Sequence, residues 1–162
     1  MAKKRGTFRI VLVVLNAILA GWATFVFLVF LKFSLLAWLM MNICSPTQFL
    51  VIIGLLSKRK ILMNVSVPLL LFFGFGGLFM FSWSGHMVVA QISHLVMSVT
   101  AIYILTVSIR DKEIKKMLIG LGIGILVLVL LQFVVFPWYY AHPDPEVLEM
   151  MKEMGFKGKM NK

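Results

Sequence analysis

Acidic residues are scarce in this chain, and none precedes Asp111. The full set is Asp111, Glu113, Asp144, Glu146, Glu149 and Glu153, so no long apolar run contains a carboxylate. This argues against a carboxylate-coupled proton or sodium pump, which keeps an ionisable group inside its bundle to bind the ion. It also leaves a serine or cysteine nucleophile without the third group that would orient its base. Cysteine is rarer still. Cys44 stands alone, so no intrachain disulfide can form and cysteine usage says nothing about redox compartment. With three histidines, His86, His94 and His142, metal-ligand spacing is poor. His86 and His94 lie eight apart, about 12 Å along a straight helix, and cannot share one ion. Cys44 and His94 fall in different apolar runs and could meet, but two ligands make a poor site. No phosphate-binding loop, HExxH or dinucleotide fingerprint appears. No metal site, catalytic residue or cofactor is therefore predicted.

Long apolar runs are what the chain does have. It is 61% hydrophobic and 14% charged, with mean hydropathy +1.00. Soluble domains sit near half apolar and about a quarter charged. Five runs, at about 10–31, 33–56, 61–83, 87–109 and 117–138, are each long enough for a hydrocarbon core of roughly 30 Å. The predicted fold is an all-α, polytopic integral membrane bundle of five transmembrane helices, residues 1–140, followed by a polar tail, 141–162. The first run lacks a small-residue cleavage site and is expected to remain as an uncleaved span. The second run is the ambiguous one, because Asn42-Ile-Cys-Ser-Pro-Thr-Gln48 lies near its middle. The alternative is four spans plus a re-entrant hairpin at 33–56.

Charge discriminates between these topologies. The formal net charge is +10, and the positive residues lie between the apolar runs. That placement reads as orientation in a bilayer with anionic lipid, not as nucleic-acid binding, for which basic residues would interleave with aromatics. Five spans with the N-terminus inside put Lys3, Lys4, Arg5, Arg9, Lys58, Arg59, Lys60, Arg110, Lys112, Lys115 and Lys116 on one face. A hairpin would divide them between the two faces. The positive-inside rule selects five spans in a cell membrane, with the N-terminus cytoplasmic and the C-terminus on the opposite side. Trp83, Trp138, Tyr139 and Tyr140 fall at outer span ends, where amphipathic rings settle.

Two stretches are polar at membrane depth. In the second run Pro46 cannot donate to the carbonyl of Asn42, and Ser45, Thr47 or Gln48 could resatisfy the backbone. Broken helices of this kind expose backbone groups to substrate in transporters, whereas a plain Pro kink would serve packing. In the fourth run, at 100° per residue, His86, Gln91, Ser93, His94, Ser98 and Thr100 occupy one half of the helix. Val88, Ile92, Val96 and Val99 occupy the other, which is expected to face lipid. Gln91, His94 and Ser98 form the tightest stripe. The ligand or pathway candidates are therefore Asn42, Ser45, Thr47, Gln48, Gln91, His94 and Ser98.

Glycines mark close helix approach, namely Gly74 and Gly77 in the third run and the Gly120/Gly124 GxxxG pair in the fifth. In the tail, Asp144 suits an N-cap, Pro145 the first helical position and Gly155 the residue past the end. Val147, Met151 and Met154 would share one face of a short amphipathic helix. The first functional expectation is a non-enzymatic accessory or assembly subunit of a membrane complex, with the bilayer and a membrane-protein partner or homo-oligomer as its contacts. The alternative is a small transporter or channel-like protein with a path between the kinked second run and the polar face of the fourth. A membrane-embedded enzyme or a haem- or metal-binding subunit comes third.

Overall fold

The structure, a computed structural model, describes residues 2–80, 83–85, 87–142, 144–145 and 147–149. The architecture is all-helical, with no strand among the described residues. Helix α1 (Ala2–Phe25) runs on through a π turn, Val26–Phe30. After a reversal come α2 (Leu35–Met41) and α3 (Cys44–Ser57), bent by 87° at the break between them. Helix α4 (Lys60–Leu69) continues through a second π turn, Leu70–Phe75, into α5 (Gly76–Met80). The long α6 (Met87–Arg110) follows. Helix α7 (Ile114–Leu130) passes through a third π turn, Leu131–Val135, into α8 (Phe136–Ala141). Four of these continuous helices are long and apolar enough to cross a membrane, and the bent α2–α3 pair makes a fifth if counted as one.

Two of the π turns sit beside prolines. Pro68 lies just before Leu70–Phe75, and Pro137 opens α8 just after Leu131–Val135. A proline removes one intrahelical donor, and the wider turn re-registers the ladder without ending the helix. Reversals between helices use left-handed backbone at Lys32, Lys58 and Lys112, each with φ 55°. Glycine or asparagine is the usual choice there, so these turns carried no sequence signal.

The core draws on α1, α3, α4 and its π turn, and α6, through Leu12, Val51, Leu55, Met63, Val67, Leu70, Met97, Ala101 and Ile104. Polar ties converge on α6. Asn16 of α1 donates to Thr100 Oγ1 (3.0 Å), Gln48 of α3 to Ser93 Oγ (3.1 Å) and Asn64 of α4 to Ser108 Oγ (2.9 Å). The polar half of α6 thus faces the bundle, with Gln91, His94, Ser98 and Thr100 buried, while Ile92 and Val99 point outward. Helix α7 buries little besides Gly120 and Gly124. At Gly120 an added Cβ would lie 2.6 Å from Asn64 Cβ, and at Gly124 it would collide with the Val65 carbonyl and the Pro68 ring. The glycine pair therefore seats α7 directly on α4.

Gly6 and Arg9 of α1, Lys58 after α3, Lys60 of α4 and Asp111 after α6 line a common cleft of about 380 Å³ at one end of the bundle. Lys60 is paired there with Asp111. Ser34 lies beyond the far end of α1. Lys58 thus stands at the same end of the bundle as Gly6 and Arg9.

Candidate functional site

The break between α2 and α3 is built from its own polar residues. Asn42 leaves the helix at φ −134°, ψ 52°, and its N–H still donates to the Trp38 carbonyl. Its side-chain amide donates to Ser45 Oγ (2.9 Å), and its carbonyl accepts from the Ser45 N–H (3.2 Å). The acceptor that Pro46 was expected to orphan is thus satisfied. Pro46 itself falls in the first turn of α3, where a missing N–H costs nothing. Thr47 closes the turn by donating its hydroxyl to the Ile43 carbonyl (2.9 Å). Asn42, Ser45 and Thr47 are therefore engaged in shaping the break. Gln48 reaches outward to Ser93, and its Oε1 is buried without a partner among the described residues. An unmet buried acceptor costs about 1–3 kcal/mol and marks a place where packing is not the whole story.

Cys44, the first residue of α3, faces α6. Its Sγ lies 3.7 Å from His94 Nε2. His94 owes its position to Gly77, where a Cβ would stand 2.5–2.7 Å from three atoms of the imidazole ring. Gly74 performs the same service for Met97 and Ser98. Ser98 turns its hydroxyl back to the His94 carbonyl (2.9 Å), and Gln91 approaches the Leu78 carbonyl at 3.5 Å, the limit for a hydrogen bond.

Cys44 and His94 open onto a cavity of about 850 Å³. Its walls come from the end of α2 and the break (Met40, Met41, Ile43), the second π turn (Leu71, Phe72, Phe73, Phe75) and α5 (Gly76, Gly77). Gln132 from the third π turn and Phe136, Pro137 and Tyr140 from α8 complete it. Both proline-linked π turns thus border one cavity, and such turns recur at functional sites. Of the ligand or pathway candidates read from the sequence, His94 alone lines it. Gln48 closes the contact between α3 and α6, Gln91 and Ser98 lie on either side of His94 along α6, and Asn42, Ser45 and Thr47 hold the break. Gln132, Met40 and Met41 escaped the sequence reading. A lone glutamine in the last apolar run was the available signal for the first, and the two methionines looked like ordinary apolar residues.

The start of the tail docks beside this site. Ser34 accepts the Ala37 N–H (3.1 Å), capping α2, and donates its hydroxyl to Asp144 Oδ2 (2.6 Å). The Val147 and Leu148 N–H groups donate to the Asp144 carbonyl, and Val147 is buried against Phe33 and Ala37. The predicted positions Met151, Met154 and Gly155 lie outside the described residues, as does His86.

Neither a family model, nor a curated protein, nor a solved structure matches this chain. It is therefore described by class: an all-helical bundle with several helices long and apolar enough to span a membrane.

Proposed function

We propose that this is a multi-pass membrane protein that binds a small solute inside the bilayer, at the cavity beside its broken second traverse. Its helices make five traverses, with the N-terminus cytoplasmic and the C-terminus opposite. Return of Lys58 to the Gly6–Arg9 end of the bundle supports the five traverses. Arg9, Lys58, Arg59, Lys60 and Lys116 border clefts at that end, which the positive-inside rule makes cytoplasmic.

One observation carries the binding reading. A thiol, an imidazole, a carboxamide and a phenol, from Cys44, His94, Gln132 and Tyr140, converge on an otherwise apolar cavity of about 850 Å³. Ligand sites have this make-up, mostly apolar walls with a few placed polar groups, and a volume of roughly 300–1,000 Å³. Discontinuous helices at membrane depth serve solute recognition in transporters.

The single cysteine supplies the test. Gly76 lines the cavity, and a Cβ there would meet nothing within 4 Å, so Gly76→Leu fills space without a backbone collision. In liposomes, N-ethylmaleimide should label Cys44 of the full chain to one equivalent. Gly76→Leu should slow that labelling roughly tenfold while thermal unfolding stays unchanged. An inert Cys44 in the folded protein, or equal rates in both, would sink the reading.

An accessory or assembly subunit is the second reading. Its support is the bareness of the first and last apolar helices, whose spanning windows are only 17% and 11% buried within the chain. A stoichiometric partner retained through mild-detergent purification is the outcome that favours it.

A further inference from the structure

We infer that the cavity is a site for a soft monovalent metal cation, Cu(I) or its analogue Ag(I), held by Cys44 and His94 with thioether help from Met40 and Met41. This rests on reading the cavity as a binding site and names its ligand class. Cys44 Sγ and His94 Nε2 are 3.7 Å apart. Metal bonds of about 2 Å to nitrogen and about 2.3 Å to sulfur cover that separation at an angle near trigonal. Both groups line the cavity, as do the thioether side chains of Met40 and Met41 at the end of α2.

Donor chemistry and charge choose the ion. Thiolate and thioether sulfur favour Cu(I), whereas Mg²⁺ and Ca²⁺ require oxygen ligands, usually with carboxylates among them. Among the described residues, no carboxylate lines this cavity. Zn²⁺ on one thiolate would keep a net positive charge among apolar walls, and an uncompensated charge there is expensive. A monovalent cation on one thiolate is neutral overall. Binding is an exchange without electron transfer: the Cys44 S–H bond breaks, an S–metal bond forms, His94 donates its Nε2 lone pair, and the proton leaves to water. Gly77 fits the scheme, because it is what lets the imidazole stand at this depth against α5.

The experiment uses the full chain in detergent, kept anaerobic with ascorbate and titrated with Cu(I) buffered by bathocuproine disulfonate. One equivalent should be retained against the chelator. Cys44→Ser should weaken retention roughly a hundredfold, and the Met40→Leu/Met41→Leu pair roughly tenfold. Ag(I) should displace the Cu(I), and equimolar Zn²⁺ should not. The methionine pair keeps the test meaningful if Cys44→Ser folds poorly, since its folding is checked by unchanged maleimide labelling of Cys44. No retention by wild-type protein whose Cys44 still alkylates would overturn the metal assignment while leaving the cavity intact as a site. The 3.7 Å approach would then be only a weak S–H to imidazole contact. Retention unaltered by Cys44→Ser would overturn it equally.

Discussion

Glycines two residues apart on α7 have opposite duties. Gly120 and Gly124 lie under α4, whereas a Cβ at Gly122 would meet nothing within 4 Å. Gly120→Ala forces Cβ against Asn64 Cβ and the Ile61 carbonyl, and backbone cannot give way as a flexible side chain would. Overpacking of this kind costs about 1–3 kcal/mol. Gly122→Ala removes the entropy disadvantage of glycine in a helix, and stability should rise by up to about 1 kcal/mol. Thermal unfolding of the two variants in one detergent should move in opposite directions, and a matching rise in both would show that α7 does not pack on α4 through this face. The buried amides are gentler. Asn16 and Asn64 each tie a neighbouring helix to α6, yet such bonds average only about 0.6 kcal/mol within membranes.

Among elements, α2 is the one held mostly from outside itself. At seven residues it is too short to be stable alone. Ser34 caps it and binds Asp144, while Val147 is buried against Phe33 and Ala37. Loss of an N-cap costs about 1 kcal/mol. Ser34→Ala should therefore speed hydrogen exchange across residues 35–41, with Asp144→Ala doing so to a lesser degree and α6 unchanged in both. Equal exchange in wild type and Ser34→Ala would mean the clasp is incidental. Much of this level was legible beforehand. The apolar runs located the long helices, and the 100° repeat of α6 separated Ile92 and Val99 from Gln91, His94 and Ser98. The break itself was flagged by Asn42 to Gln48, but its form was not. Pro46 suits either a kink within a helix or the first turn of a new one, and only the Asn42–Ser45 contacts decide between them. The cavity was illegible for a similar reason. Met40, Met41 and Gln132 acquire their meaning from the two π turns that bring α5 and α8 to the break, and periodicity does not foresee such turns.

For the whole molecule the deciding quantity is the number of crossings between Ser34 and Lys58. Helix α3 is 14 residues long, about 21 Å, and falls short of a roughly 30 Å hydrocarbon core. Helix α2, turned by 87°, adds little depth. Under the proposed five-traverse topology, the break and the polar caps at its ends would complete the crossing, with Ser34 at the outer interface and Lys58 at the inner one. A re-entrant hairpin would put both on the same side. Because Cys44 is the only cysteine, a Cys44→Ser background allows each position to be read by one introduced thiol. With intact cells and an impermeant maleimide, Ser34→Cys and Ser84→Cys should label from outside, and Lys58→Cys and Lys112→Cys only after permeabilisation. Ser34 and Lys58 labelling together would restore the hairpin. It would also contradict the cleft that Arg9, Lys58 and Lys60 share, because a hairpin puts Lys58 across the membrane from Arg9.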